Sequence, residues 1–265
     1  SSGIGRATAI EYARSGYRVV LAARRADRLQ AVAAEVDAAS PFDSAATAMP
    51  TDVTDAQQVQ ALVDQTVATL GRLDVMINNA GYGQFGRVWE LDEAELRAIF
   101  EVNFFGAFYG AKAAAKVMLA QGHGHIFNVS SVIGRVGSPF HGAYSASKFA
   151  LTGLTEAMRV ELAGTGIYVT DVCPALTETE FFDHVRDGEV RRRSDFLRKK
   201  KRMPARTVAR KLVARTGKRT PRIVFSAGGK FLLTLAALWP NAADRLMRFY
   251  RNDLARCLAD TDEGS

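Results

Sequence analysis

A chain of 265 residues has the length of one α/β domain with additions, and its composition, 48% hydrophobic and 24% charged, is that of an ordinary globular protein. That excludes disordered, collagen-like and disulfide-scaffold classes; with only Cys173 and Cys257, the expected setting is reducing and cytoplasmic. The net charge of +7 is unevenly placed, with 14 Lys/Arg against 20 Asp/Glu in residues 1–183 and 21 against 5 in residues 184–256, an asymmetry that bears on partners rather than fold.

The chain opens on Ser1-Ser2-Gly3-Ile4-Gly5-Arg6-Ala7, and Ala9, Ile10 and Ala13 follow on a helical period. Small residues opening a helix suit a phosphate group, because free N–H groups and the positive end of the helix dipole face the anion. A dinucleotide-binding turn of this kind follows a β-strand. None precedes it here, so the expectation is a sheet lacking its first strand and a sequence lacking upstream residues. The alternative is a surface helix capped by Ser2.

Beyond this turn the apolar pattern alternates between strand and helix periods. Residues 17–22 read as a buried strand, 27–38 as an alanine-rich helix, 45–50 as a weak strand and 55–70 as a helix. Residues 73–77 form a strand ending in Asn78-Asn79-Ala80-Gly81, and a glycine-rich loop leads to a long helix over 93–121, interrupted near Glu101. Residues 124–129 are a strand ending in Ser130-Ser131, 143–163 a long helix and 167–172 another strand. Units of about 30 residues predict an α/β fold, a doubly wound parallel sheet with helices on both faces. The polar signatures fall at the C-terminal ends of strands, where open α/β sheets bind ligands.

Tyr144-Ser145-Ala146-Ser147-Lys148 opens a helix, placing Tyr and Lys on one face, one turn apart. A neighbouring ammonium favours the phenolate, so the pair can move a proton at a carbonyl or alcohol oxygen. Ser131, at the end of the preceding strand, can hydrogen-bond the same oxygen. Asn103 falls within the long helix.

Together SSGIGRA (1–7), DV (52–53), NNAG (78–81), Asn103, Ser131 and YSASK (144–148) resemble the short-chain dehydrogenase/reductase family over most of residues 1–180. The resemblance implies a Rossmann-like fold and an oxidoreductase interconverting a ketone or aldehyde and an alcohol. Tyr144 would be the general acid or base, Lys148 would lower its pKa and bind the nicotinamide ribose, Ser131 would orient the carbonyl, and Asn103 would hold a relay water. Ser2, Gly3, Ile4 and Gly5 would meet the cofactor phosphates and Asp52 and Val53 the adenine; Asn79, Ala80 and Gly81 would border the cofactor. The family's Pro-Gly-x-Val-x-Thr appears here as Pro174-Ala175-Leu176-Thr177-Glu178-Thr179, which keeps Pro174 and Thr179 as cofactor contacts. An alternative is a non-catalytic nucleotide-binding scaffold or sensor on the same fold.

After the second family strand the chain reads Ala22-Ala23-Arg24-Arg25, where an NAD site presents an acid and an NADP site an arginine. No acid lies between Tyr17 and Ala26, so NADP(H) is expected, with Arg24 the first 2′-phosphate clamp and Arg25 the second.

Residues 1–225 read as the catalytic domain, with 174–220 as its variable substrate-facing part and 226–265 as an amphipathic helical extension. Phe181-Phe182 and the basic run over 186–202 suggest a loop or helix over the active site. Residues 207–216 read as a helix and 222–225 as a last strand. In the extension, apolar and aromatic residues alternate with Arg245, Arg248 and Arg251, as in an interfacial helix, a body-packing helix or a homo-oligomer interface. Contact with an anionic membrane surface is therefore one expectation. The longest apolar run, residues 231–239, falls short of the roughly 20 residues needed to span a bilayer. The substrate is expected to be a small carbonyl or alcohol compound, apolar or lipid-like, as Tyr82, Phe85, Phe140 and Phe181 hint. Neither a metal nor a nucleic-acid partner is expected, because His123-x-His125 is the only close histidine pair and no recognition module is visible.

Overall fold

The computed structural model describes residues 2–174, 176–177 and 202–262, with side chains to residue 255 except Asp253. In chain order the elements are α1 (Gly3–Arg14), β1 (Val19–Ala23), α2 (Ala26–Ala39), β2 (Ala46–Pro50), α3 (Ala56–Leu70), β3 (Val75–Asn78), α4 (Glu93–Phe100), α5 (Gly106–Gln121), β4 (Gly124–Val129), α6 (Gly142–Glu161), β5 (Ile167–Cys173), α7 (Ala205–Arg215), β6 (Arg222–Val224), α8 (Ala227–Leu238) and α9 (Pro240–Asp262).

Local chemistry accounts for several of these boundaries. Asp55 accepts hydrogen bonds from the Gln57 and Gln58 amides and caps α3; Gly71 ends it in the left-handed region, at φ 76°. Asp92 caps α4 in the same way. The long helix expected over 93–121 is indeed interrupted at Glu101, where a π-helical turn, Glu101–Phe105, joins α4 to α5. Such turns are frequent at functional sites.

All strand pairs are parallel, but they form two sheets. β1 pairs with β2 from Val19↔Ala46 to Ala23↔Pro50. The other sheet runs β3-β4-β5-β6, with Val75 opposite His125, Gly124 opposite Ile167 and Asp171 opposite Arg222. Among the described residues no strand joins β1 to β3. Instead both line one continuous cavity of about 2240 Å³. Strands covered by helices on both faces are normally buried throughout. β4 obeys this, with five of six residues buried, whereas all four residues of β3 are only half-buried. Among the described residues an open flank thus runs between β1 and β3.

The core is divided accordingly. One cluster joins α1, α2 and β1 through Ala13, Leu21, Leu29 and Val36. A second links Tyr12 of α1 to Phe127, Val172, Val208, Leu212 and Ile223. A third packs α5 against β4 and β5 through Ala114, Met118, Ile126 and Val169. A chain of amides crosses the sheet: Asn78 Nδ2 donates to Asn128 Oδ1 (2.8 Å), and Asn128 Nδ2 donates to Thr155 Oγ1 on α6 (2.9 Å). Gly110 of α5 lets the helix approach Asn78 so closely that a Cβ would collide with its Oδ1.

At the C-terminal end, α7 packs on α1, with Arg206 and Arg210 on Glu11 at 3.3 and 3.4 Å. Helices α8 and α9 form the extension and pack against each other. Among the described residues no helix is long and apolar enough to cross a membrane.

Candidate active site

The sequence-predicted residues approach the cavity from α1, from α6 and from the ends of β1, β2, β3, β4 and β5. Ser2 occupies the N-cap position of α1, but its side chain makes no capping bond, and no acid lies in the first turn. The capped surface helix weighed from sequence is therefore not what forms. Gly3 adopts φ 54°, a left-handed conformation that favours glycine. A Cβ on Gly5 would stand 2.9 Å from Asn79 Nδ2, so only glycine lets α1 approach the end of β3 this closely. Ser2, Gly3, Ile4 and Gly5 all line the cavity, as do Asn79, Ala80 and Gly81.

Arg24 and Arg25 follow β1 at the cavity wall, and both are exposed. Asp52 and Val53, beyond β2, line the same space. Hydrogen bonds from the Thr54 amide and hydroxyl, aided by the nearby Arg24 charge, hold the Asp52 carboxyl below its ordinary value. Pro174 lines the cavity after β5; Thr179 and the basic run over 186–201 lie outside the described residues.

Tyr144 and Lys148 sit in the first turns of α6, both buried. Lys148 Nζ donates to the Val129 carbonyl at 2.9 Å and lies 5.9 Å from the centre of the Tyr144 ring. Ser131 starts the short helical turn after β4, accepting from the Ile133 amide at 3.3 Å. Burial pushes the Tyr144 phenol up to about 12, against the opposing pull of its hydrogen bond to Ser131. Burial also lowers Lys148 to about 8, while the Asp171 charge works the other way. At Tyr144 burial thus outweighs the Ser131 hydrogen bond.

Asn103, in the π-helical turn, is fully buried. Its Oδ1 accepts from the Tyr82 amide at 3.0 Å, and its Nδ2 donates to the Tyr82 carbonyl at 3.0 Å and to Ser147 Oγ at 3.1 Å. Ser147 in turn donates to the Tyr144 carbonyl at 2.8 Å. A Cβ on Gly81 would stand 3.0 Å from Asn103 Oδ1 and 3.3 Å from Lys148 Nζ. Sequence reasoning missed this clamp of Asn103 on Tyr82 and Ser147; its only trace was that both partners lie inside matched or adjoining motifs. It also missed the left-handed backbone of Phe140, φ 62° just before α6, and Asp171, a buried carboxylate on β5 paired with Arg135 at 3.2 Å.

His123 and His125 are engaged elsewhere, His123 with Asp74 and His125 with Thr170. Among the described residues no three His, Cys, Asp or Glu side chains form a metal cluster.

The buried ammonium carries a stability consequence. A lysine lowered from 10.5 to about 8 is protonated in both folded and unfolded chains below about pH 8. There the folded state bears the whole desolvation penalty, which fades as pH rises from about 8 towards 10.5. Lys148→Met, similar in volume, is expected to stabilise the unliganded protein at pH 7 by about 1–3 kcal/mol. In thermal melts at pH 7 and 9.5, that advantage should shrink at the higher pH; an advantage independent of pH would contradict this account.

The short chain dehydrogenase family model matches residues 1–190. An uncharacterised oxidoreductase of Staphylococcus saprophyticus is 35% identical over 201 residues, 75% of this chain and 80% of that protein. The crystal structure of a short-chain dehydrogenase/reductase from Burkholderia phymatum in complex with NAD matches with a TM-score of 0.81 and 30% identity, over 89% of each chain. A metagenomic short-chain oxidoreductase in complex with NADP matches with a TM-score of 0.70 and 28% identity, over 84% of this chain and 90% of the other. The Rossmann-like α/β fold, the cavity at the strand ends and these likenesses agree: the chain belongs to the short-chain dehydrogenase/reductase family of oxidoreductases.

Proposed function

We propose that the protein reduces a ketone or aldehyde to an alcohol with NADP(H), with Tyr144, Ser131 and Lys148 acting at the reacting groups and Asn103 positioning them. The observation that carries this reading is the meeting, on one cavity, of the Tyr144–Ser131 hydroxyl pair with the uncapped start of α1. When bound, the nicotinamide cofactor supplies the hydride. Fit is supported by the cradle at Gly5 and Gly81, which a side chain would fill, and by the open N-terminus of α1. Ser2, Gly3, Ile4 and Gly5 are assigned to the pyrophosphate, Asp52 and Val53 to the adenine, and Asn79, Ala80, Gly81 and Pro174 to the remaining cofactor wall. Thr179 is assigned to the carboxamide from its motif alone.

Tyr144 gives its proton to the carbonyl oxygen while Ser131 holds that oxygen by a hydrogen bond. A phenol holds its proton at neutral pH, as the acid role requires, and burial reinforces this. Lys148 orients the nicotinamide ribose and returns a proton to Tyr144. Asn103 fixes the Tyr82 backbone and Ser147, and through them the start of α6.

Arg24, with Arg25 beside it, is the basis for preferring NADP(H) over NAD(H), since relatives of both kinds exist. Its charge reaches Asp52 and stands at the cavity wall. Arg24→Glu is expected to lower kcat/KM for NADPH by roughly 10–100-fold, the worth of one or two charge-assisted hydrogen bonds, and to leave NADH little changed. Steady-state assays with both cofactors test this; an equal loss for both would remove Arg24 as the discriminator. The reductase reading itself is tested by NADPH consumption across a panel of apolar ketones and aldehydes.

A further inference from the structure

The two C-terminal helices do two things at once. On the inside they wall the cavity that holds Tyr144: Phe231 and Leu232 of α8 and Leu246, Met247, Phe249 and Tyr250 of α9 all line it. Leu254 and Tyr250 fasten α9 to Phe85 and Phe140. On the outside the same helices leave large apolar side chains in solvent. Phe231 is 62% exposed, Leu238 60%, Trp239 61% and Phe249 75%. Phe231 and Leu238 share one face of α8, seven residues apart. Phe231 and Phe249 are both cavity-lining and solvent-exposed, so they form the rim of the cavity mouth.

Around this rim cations outnumber acids, Lys230, Arg245, Arg248 and Arg251 against Asp244 and Asp253. Lys230 is the only charged residue of α8, and Arg245, Arg248 and Arg251 recur at every third position of α9, all exposed. In residues 227–252 the only acid is Asp244. Exposed aromatic side chains beside a strip of arginines match a lipid interface, where rings enter the headgroup region and cations meet anionic headgroups. A protein partner or a second copy would have to supply acidic groups opposite this strip; an anionic bilayer supplies them everywhere.

We propose that α8 and α9 dock the protein on an anionic lipid surface, with the mouth of the cavity facing the bilayer. Resting on the reductase reading, this adds that the carbonyl substrate partitions into lipid and enters past Phe231 and Phe249 without crossing water.

Docking is measured apart from turnover. The protein is sedimented with vesicles of phosphatidylcholine alone and with vesicles containing one third phosphatidylglycerol. Binding to the anionic vesicles is expected to exceed that to the neutral ones by about tenfold or more at low salt, and to fall as salt is raised. Leu238→Glu with Trp239→Glu, at positions outside the cavity lining, should reduce anionic-vesicle binding by about tenfold or more. Unchanged melting and NADPH affinity in that variant would show that it is folded. With Trp89→Phe as background, Trp239 emission should shift to the blue on adding anionic vesicles. Three results would overturn the proposal: sedimentation with neither vesicle, equal sedimentation by the double variant, or a dimer in lipid-free solution that the double variant abolishes. If docking fails while NADPH-dependent reduction stands, only this inference is lost; if docking holds and no carbonyl is reduced, the catalytic reading is at fault.

Discussion

Tyr144→Phe is expected to lower kcat for carbonyl reduction by about 10²–10⁴-fold, the usual contribution of a positioned general acid. The ring remains, so packing beside Lys148 and the start of α6 is kept, and the NADPH dissociation constant should move by no more than a few-fold. Only the proton donor is removed, together with its hydrogen bond to Ser131. Ser131→Ala should give a smaller loss, because the proton donor persists while one hydrogen bond to the carbonyl oxygen disappears. Steady-state rates under saturating NADPH, paired with cofactor titration by fluorescence, separate chemistry from binding. Normal turnover by Tyr144→Phe would sink the mechanism proposed above; tight NADPH binding with no carbonyl turnover by the unaltered protein would favour the alternative in which the fold senses or stores a nucleotide.

The second large effect concerns the sheet. Produced as residues 1–265, the protein is expected to give a broad, weakly cooperative melt, because β1 and β3 line an open cavity and the core is divided between them. A five-residue β-branched segment fused ahead of Ser1 through a short glycine turn would enter beside both strands. The geometry favours a parallel entry, since α1 begins next to Asn79, just past the C-terminal end of β3. Burial by the inserted side chains roughly balances the ordering of the inserted residues. The net gain comes from side chains already in place: Val19, Val20, Val75, Met76 and Ile77 are all half-buried. Completing their burial is worth about 1 kcal/mol each, and about 5 kcal/mol in sum corresponds to a rise in Tm of about 10–20 °C. Calorimetry of the two proteins, beside a fusion carrying a polar segment of equal length, checks this. A sharp transition without the segment, and no gain with it, would show that the flank is closed in solution.

Much of this architecture was legible because each strand–helix unit carries its own punctuation. Residues 124–129 were read as a strand to the residue, since an apolar run lies between Gly122 and the serine pair. The break at Glu101 was visible because the apolar period falters there, although periodicity could not show that the break is a π-helical turn. Arg24 and the Tyr144–Lys148 spacing were legible for a similar reason: function at strand ends and on one helical turn is written locally. What stayed hidden depends on long-range approach. Asn103 meets Tyr82 from 21 residues away and Ser147 from 44, and no local pattern announces either bond. The burial of Tyr144 and Lys148 was hidden too, because spacing reveals the neighbouring lysine but not how thoroughly both groups are stripped of water. The double duty of α8 and α9 was equally invisible, since an amphipathic pattern does not say which side meets the body.

The amide relay from Asn78 through Asn128 to Thr155 has a further consequence. Among the described residues β3 has a strand on one side only, and such a strand could slide along its neighbour into several near-equivalent pairings. A slide of one position would point Asn78 away from its partner and leave carboxamides stranded in an apolar interior. The relay therefore works as a latch: it admits one alignment of β3 on β4 and penalises the misaligned ones, so that a strand paired on one side is held in a single placement.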